Sequence, residues 1–198
     1  MGCVSVNISD LEVCDGEHSE AGFSSENFFA KRNQILTFPK LLNDASLTPA
    51  ELTAAGTLIG SSYATLTDEE KAGTLASSIA FKTGMKFSKF PAMSDSGTLN
   101  FSLVKPGSTS KRNLYAFEVE NTFLNSQILD RITYGILVFK NNEGQTFVLG
   151  SLAHPCRLEK VEGKNGKTSD GERMISVEFY CPKPPRAYYG TVQLTPAV

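Results

Sequence analysis

Residues 114–152 read LYAFEVENTFLNSQILDRITYGILVFKNNEGQTFVLGSL, and the succession of patterns in them decides the fold class. Tyr115, Phe117 and Val119 alternate with charged Glu118 and Glu120, the period of a strand with one buried face. Asn121 or Thr122 then offers a side-chain oxygen as a helix N-cap. Phe123, Leu124, Ile128, Leu129 and Ile132 make a narrow apolar stripe with Asp130 and Arg131 off it, which predicts a helix over about 122–133. Gly135 ends that helix, and Ile136–Phe139 resumes extended structure. Asn141-Asn142-Glu143-Gly144 has turn composition, and Thr146–Leu149 returns as the antiparallel partner. Strand, helix, strand, turn, strand is a scaffold that packs on itself and on neighbours.

Downstream, Arg157, Glu159 and Val161 alternate with Leu158 and Lys160 in one strand. Arg173–Cys181 forms another, with Ile175, Val177, Phe179 and Cys181 inward and Met174, Ser176, Glu178 and Tyr180 outward. Pro182, Pro184 and Pro185 stop it, because proline cannot donate to a ladder. Residues 187–192 read as a last edge strand. Upstream, Ile79, Phe81, Thr83, Met85 and Phe87 share one face of a strand, with Gly84 marking a bulge or bend. Leu99, Phe101 and Leu103 make its expected hairpin partner, and residues 105–112 read as a polar loop. At least six strands and one marked helix predict a mainly β protein, a β-sandwich or barrel with a flanking helix.

Residues 47–77 read differently, as a partly helical insertion or long loop. Thr48-Pro49-Ala50-Glu51 is a capping box with proline at the first helical position. Thr67-Asp68-Glu69-Glu70 repeats the signal with acids at the positive end of a helix dipole. Residues 1–46 form an N-terminal arm and apolar segment. Val4–Ile8 alternates like a short strand, residues 14–26 read as a loop or arm, and Phe28, Phe29, Ile35, Leu36, Phe38 and Leu41 need either this chain's core or a neighbouring subunit. The expected division is therefore 1–46, 47–77 and 78–198.

Hydrophobic residues make up 40% and charged residues 20%, an ordinary globular balance over a length suited to one domain with an insertion. A formal net charge of −2 gives none of the basic footprint with which nucleic-acid binders neutralise phosphates. No apolar run reaches the roughly 20 residues that cross a bilayer, so no membrane partner is expected. Residues 1–13 lack the basic and apolar regions of a signal peptide, and Val6 stands where an N-acylation motif wants Ser or Thr. Synthesis in a cytoplasm is the expectation.

No residue is assigned to catalysis, to a cofactor or to a metal. Cys3, Cys14, Cys156 and Cys181 form no CxxC pair and read as small buried residues of a reducing compartment. Two alternatives stay open: a zinc site from Cys3, Cys14 and His18 with His154 or Cys156, and a Cys156–Cys181 disulfide. In His154-Pro155-Cys156 an imidazole and a thiol share one face of an extended segment, but adjacent placement presents the base poorly and no orienting Asp or Asn is evident.

The run from Tyr115 to Glu159 resembles tail tube proteins of long-tailed bacteriophages, particularly tail proteins from phages of Bacteroidetes hosts. The likeness lies in a strand with a helix just after it, then a hairpin of the form I-V-x-D-x-N-G-x-x-x-x-L-G and a following x-P-x-R-L. Leu137–Gly144, Phe147–Gly150 and Pro155–Leu158 occupy those positions. Asp170-Gly171 and Met174–Tyr180 sit where the family has D-x-x-G and a final strand, and the N-terminal cysteines before Gly22-Phe23 are a looser echo. The resemblance runs from Ser78 onward, and the insertion at 48–73 departs from the plain family pattern.

That resemblance implies a tail-tube type of β-sandwich or barrel, a structural virion protein of the tail, assembled in the host cytoplasm. Its partners would be further copies in a hexameric ring and stacked rings, other tail or connector proteins, and DNA passing through the lumen without sequence-specific binding. Sheets joined edge to edge would satisfy strand edges that otherwise invite aggregation. The hairpin is the expected subunit interface, with Ile136, Val138, Phe139, Asn142, Gly144, Phe147 and Leu149 as its residues. The alternative is a monomeric β-barrel that binds single-stranded nucleic acid or another ligand, with Phe81, Phe87, Phe101 and Tyr115 on an exposed face beside Lys82, Lys86 and Lys89.

Overall fold

The five residues Gly135-Ile136-Leu137-Val138-Phe139 are apolar without alternation, and a strand of that kind needs cover on both faces. The computed structural model describes residues 23–92, 96–103, 111–120, 129, 132–164 and 174–197, and in it these five lie at the centre of the protein. They belong to strand β8 (Tyr134–Asn141), in which all five are buried. Ile136 and Val138 face one hydrophobic core, while Leu137 and Phe139 face another. Full burial of side chains this size contributes about 1.5–3 kcal/mol each.

Both edges of β8 are paired. Strand β9 (Thr146–Leu149) runs antiparallel to it, with Leu137 opposite Leu149 and Phe139 opposite Phe147. The turn between them is held by the Asn141 side chain, whose Oδ1 accepts the Gln145 N–H at 2.8 Å, and by Gly144 at φ 83°. Strand β1 (Phe23–Lys31) lies antiparallel on the other edge, with Phe29 opposite Leu137, and pairs in turn with β5 (Ser88–Pro91). At the start of β8, Gly135 and Tyr134 also take the first residues of β10 (Cys156–Lys164).

From β10 the sheet continues through β11 (Met174–Cys181) and β7 (Lys111–Glu120) to β6 (Thr98–Leu103), each pair antiparallel. It curls as it goes. Just after β5, Ala92 meets Val119 of β7 in a single bridge, so the curl almost closes without a full ladder. Its inside is filled by rings: Tyr115 stacks on Phe139 at 4.1 Å, Phe117 stacks on Phe179 at 6.0 Å, and Phe29 meets Phe90 edge-on at 6.3 Å. Offset and edge-to-face pairs at these separations are the arrangements aromatic quadrupoles favour.

The outer face of β1, β8 and β9 is covered separately. A two-stranded sheet of β2 (Ile35–Thr37) and β4 (Ala80–Phe81) contributes Ile35 and Phe81 to the second core. Strand β12 (Arg186–Tyr188) pairs with β9 on one side and, in parallel, with β3 (Thr74–Leu75) on the other. Helices α1 (Pro49–Ile59) and α2 (Asp68–Gly73) lead into β3. Both begin with the capping boxes read in the sequence, Thr48 with Glu51 and Thr67 with Glu70, and α1 ends at Gly60 with φ 69°. Ala55 and Ile59 of α1 bury a small third core with Leu42 and Ala76.

The protein is thus mainly β, 45% strand and 20% helix, built on a curled open sheet. Several expectations are corrected. Residues 23–26, read as part of a loop or arm, begin β1, and of the two placements left open for Phe28, Phe29 and Ile35 the structure has the one within this chain's own cores. The strand expected over 79–88 is broken at Gly84 (φ 78°) into β4 and β5, which leaves Met85 exposed. Residues 98–103 pair with β7, the strand that follows them, and not with the preceding strand, which pairs with β1. Residues 111–112, read as loop, belong to β7. β12 is internal, flanked by β3 and β9, where an edge was expected. Met174 is buried although its parity points outward. The helix expected over about 122–133 lies almost entirely outside the described residues, apart from Leu129, which is buried against the first core. The Val4–Ile8 strand lies outside them altogether.

Gly135 is where three strands meet, and a methyl group there would overlap the Ala30 carbonyl oxygen and the Phe29 ring. Gly135→Ala is therefore expected to cost at least about 2 kcal/mol, since a packed core answers added volume with strain. A urea melt checks this; an unchanged midpoint would contradict the tight crossing.

Candidate assembly surface

The strands of the hairpin expected to carry the interface are largely enclosed by the rest of the chain. Ile136, Val138, Phe139 and Leu149 each have 0% exposure, because the two cores on either side of β8 consume their surfaces. The backbone edges are occupied as well, β8 by β1 and β10 and β9 by β12. These four residues cannot meet another subunit, and the hairpin cannot extend a sheet into one. What remains reachable is the turn. Gly144 and the half-buried Phe147 line an open groove of about 570 Å³ with Glu70, Glu143 and Tyr189, while Asn142 is half-buried beside it.

Two of the longer strands, β6 and β10, keep a side without a ladder among the described residues. The outer edge of β6 has no strand partner among the described residues. Its sequence, Thr98-Leu99-Asn100-Phe101-Ser102-Leu103, holds no charge and no proline. Thr98 and Asn100 are exposed, while Leu99 is partly buried against the first core. Proteins normally guard such edges with charge, proline or a covering segment.

Strand β10 shows what a guarded edge looks like. Beyond Cys156 and Arg157 its outer side has no strand partner among the described residues either. Its side chains, however, form a web of charge. Glu159 takes ion pairs from Arg112 and, at 3.1 Å, from Arg157, and Lys160 pairs with Glu162 at 2.8 Å. Arg112 and Arg157 both sit 5.0 Å from the Tyr180 ring centroid, one from each of the strands, β7 and β10, that pair with β11. The sequence reading missed this web because it placed Arg112 in a loop. The unguarded β6 edge was legible as a strand, but its openness depends on which strand claims its neighbours.

The chemistry weighed in the sequence resolves differently. Cys156 is fully buried, its thiol donates to the Gly135 carbonyl at 3.1 Å, and burial pushes it far above the usual thiol range, so no thiolate nucleophile is presented there. Cys156 and Cys181 are free thiols in this structure, not a disulfide. Cys3, Cys14 and His18 of the zinc alternative lie outside the described residues, among which no three His, Cys, Asp or Glu side chains cluster. Of the aromatics a nucleic-acid platform would expose, Tyr115, Phe81 and Phe87 are buried, the last two edge-on to each other at 4.8 Å. The side chain of Phe101 lies outside the described residues. No described helix is long and apolar enough to cross a membrane.

Compared with protein-family models, curated proteins and solved structures, the chain matches none.

Burial raises the ionisation of Tyr115 and Tyr188 above the ordinary value of 10.0 and that of Cys156 above 9.0. The unfolded chain then loses these protons first as pH rises, so their contribution is complete below about pH 9 and is lost through the alkaline range. Chemical denaturation from pH 8 to 11 is expected to show a falling midpoint. Tyr115→Phe is expected to lessen that slope while costing about 1–2 kcal/mol at neutral pH, through loss of its 2.9 Å hydrogen bond to Asn27. A midpoint that rises above pH 9 would contradict the assignment.

Proposed function

We propose that this chain is a non-enzymatic structural protein that assembles with copies of itself, a subunit of a ring or tube of the tail-tube kind. The observation that carries the reading is the β6 edge, six residues long, uncharged and without a partner among the described residues. A strand of roughly 20 Å with free N–H and C=O groups is a template for another strand, and a second chain satisfies it. The curled sheet supports the same reading, because its interior is packed with aromatic side chains and leaves the chain's surface to do the binding. Joining the β6 edge to a different edge of the next copy is a heterologous contact, which closes into a ring when the rotation per copy allows.

On this reading the protein is a virion tail component, hexameric as in the tail-tube pattern, made in the host cytoplasm and joined by other tail or connector proteins. DNA would pass along the lumen without base-specific contacts. The near-neutral net charge of −2 suits such a conduit, since a strongly basic bore would hold the phosphates.

Size-exclusion chromatography with light scattering, followed by negative-stain imaging, checks the proposal. Rings or short tubes are expected, and a strictly monomeric particle at high concentration would overturn it. Asn100→Lys places a charge on the open edge, where Asn100 is exposed and opposite Leu114 of β7. It is expected to raise the concentration needed for assembly by about tenfold, equivalent to roughly 1.4 kcal/mol per contact, while leaving the thermal midpoint of the monomer nearly unchanged.

A further inference from the structure

We propose that Cys156 and Cys181 are a redox-controlled modification site, a dithiol built to close into a cross-strand disulfide when the protein meets a small-molecule disulfide. The register places them. β10 and β11 pair Leu158 with Phe179 and Arg157 with Tyr180, so one further step sets Cys156, the first residue of β10, opposite Cys181, the last of β11. Directly opposite residues of an antiparallel pair lie about 4.5–5.5 Å apart at Cα, inside the roughly 4.4–6.8 Å that a disulfide spans. Both side chains point to the same core, and neither is bridged.

The surroundings distinguish the two sulfurs. The Cys156 thiol donates to the Gly135 carbonyl at 3.1 Å, and the Cys181 thiol donates to the His154 carbonyl at 3.7 Å. Burial disfavours both thiolates. At Cys181 this is opposed by the backbone N–H groups of Lys183 and Gly150 and by the positive charges of Arg186 and Lys183. At Cys156 the neighbouring Cys181 adds to the penalty, and the backbone groups of Leu137, Cys156 and Gly135 oppose it. Cys181, followed directly by the exposed Pro182 and Lys183, is the attacking thiol, and Cys156, held against Gly135 of β8, the resolving one.

Access follows from position. Both residues are strand ends, where local opening is least costly, and the adjoining His154, Pro182 and Lys183 are exposed. A cleft of about 260 Å³ lies next to these strand ends without reaching the sulfurs; Lys40, Lys183 and Arg186 on its rim outnumber Asp44, a balance that suits an anionic disulfide such as oxidised glutathione, and local opening of the strand ends brings the thiols to it. The Cys181 thiolate attacks one glutathione sulfur, the glutathione disulfide breaks, and one glutathione leaves as thiolate and is protonated. Cys156 is shielded from solvent in the closed structure, so it gives up its proton to solvent only while the strand end is open; it then attacks the Cys181 sulfur and releases the second glutathione. Two protein thiols lose two protons and two electrons, and one oxidised glutathione becomes two reduced molecules.

The bond would lock β10 to β11 where β10 joins β8 through two register pairs alone. Its formation is tested in the folded full-length chain carrying Cys3→Ser and Cys14→Ser, exposed to oxidised glutathione and analysed by peptide mass mapping and thermal melting. The expected result is loss of both thiols to one intramolecular 156–181 bond, a thermal midpoint higher by about 5–10 °C, and full reversal on reduction. In Cys156→Ala the same treatment is expected to leave glutathione attached at Cys181. Retention of both thiols in the folded chain, glutathione on either cysteine without closure, or pairing that occurs only after denaturation would each overturn the proposal. These readouts need no assembly, so they stand or fall apart from the ring.

Discussion

The packing of β8 between two hydrophobic cores governs the rest of the structure. Ile136 and Val138 on one face and Leu137 and Phe139 on the other lose all contact with solvent, so each face requires its own cover. The inner cover is the sheet itself, curled until Ala92 reaches Val119. The outer cover is assembled from small pieces: β2 with β4, β12 with β3, and the chain's last described residues. Those residues lie along 84–87, with Gly84 donating to the Ala197 carbonyl at 2.8 Å and Phe87 to that of Gln193 at 3.0 Å. Gly135 permits the close crossing at the strand's start, where a side chain would strike β1.

Polar contacts then fix how these layers register. The Tyr115 hydroxyl donates to Asn27 Oδ1 across the inside of the curl, which ties β7 to β1 although the two share no ladder. On the outer side the Tyr188 hydroxyl accepts the Ile79 N–H at 3.1 Å and donates to the Thr191 carbonyl at 3.0 Å. Buried polar groups of this kind are costly when unpaired, so each disfavours a slipped alternative in which its partner is displaced. Between them they specify which strand faces which, while the apolar burial supplies the stability.

Local patterns in the sequence carried the elements well. The β8–β9 hairpin, the inward set of β11 and both capping boxes depend on neighbours a few residues away, and each is found where the pattern puts it. What the sequence left hidden is pairing over long separations. β1 reaches β8 across more than a hundred residues, and β5 joins β1 and leaves β6 to β7. The candidate surface suffered most from this. An apolar run such as Ile136–Phe139 reads alike whether it meets another subunit or lies between two layers of its own chain. Only the layers decide. The β6 edge has the opposite character, ordinary in composition and conspicuous only beside the charged edge of β10 and the paired edges of β8 and β9 among the described residues.

The central claim is that β6 is the edge at which copies join, while β8 is internal to each copy. Hydrogen exchange resolved to single amides, measured on dilute and on concentrated protein, tests it most directly. The account predicts that β8 amides are slow in both states, and that the outward amides of residues 98–103 exchange freely when dilute and become protected on assembly. Protection of those amides in the dilute monomer, or free exchange of them within assembled particles, would contradict it.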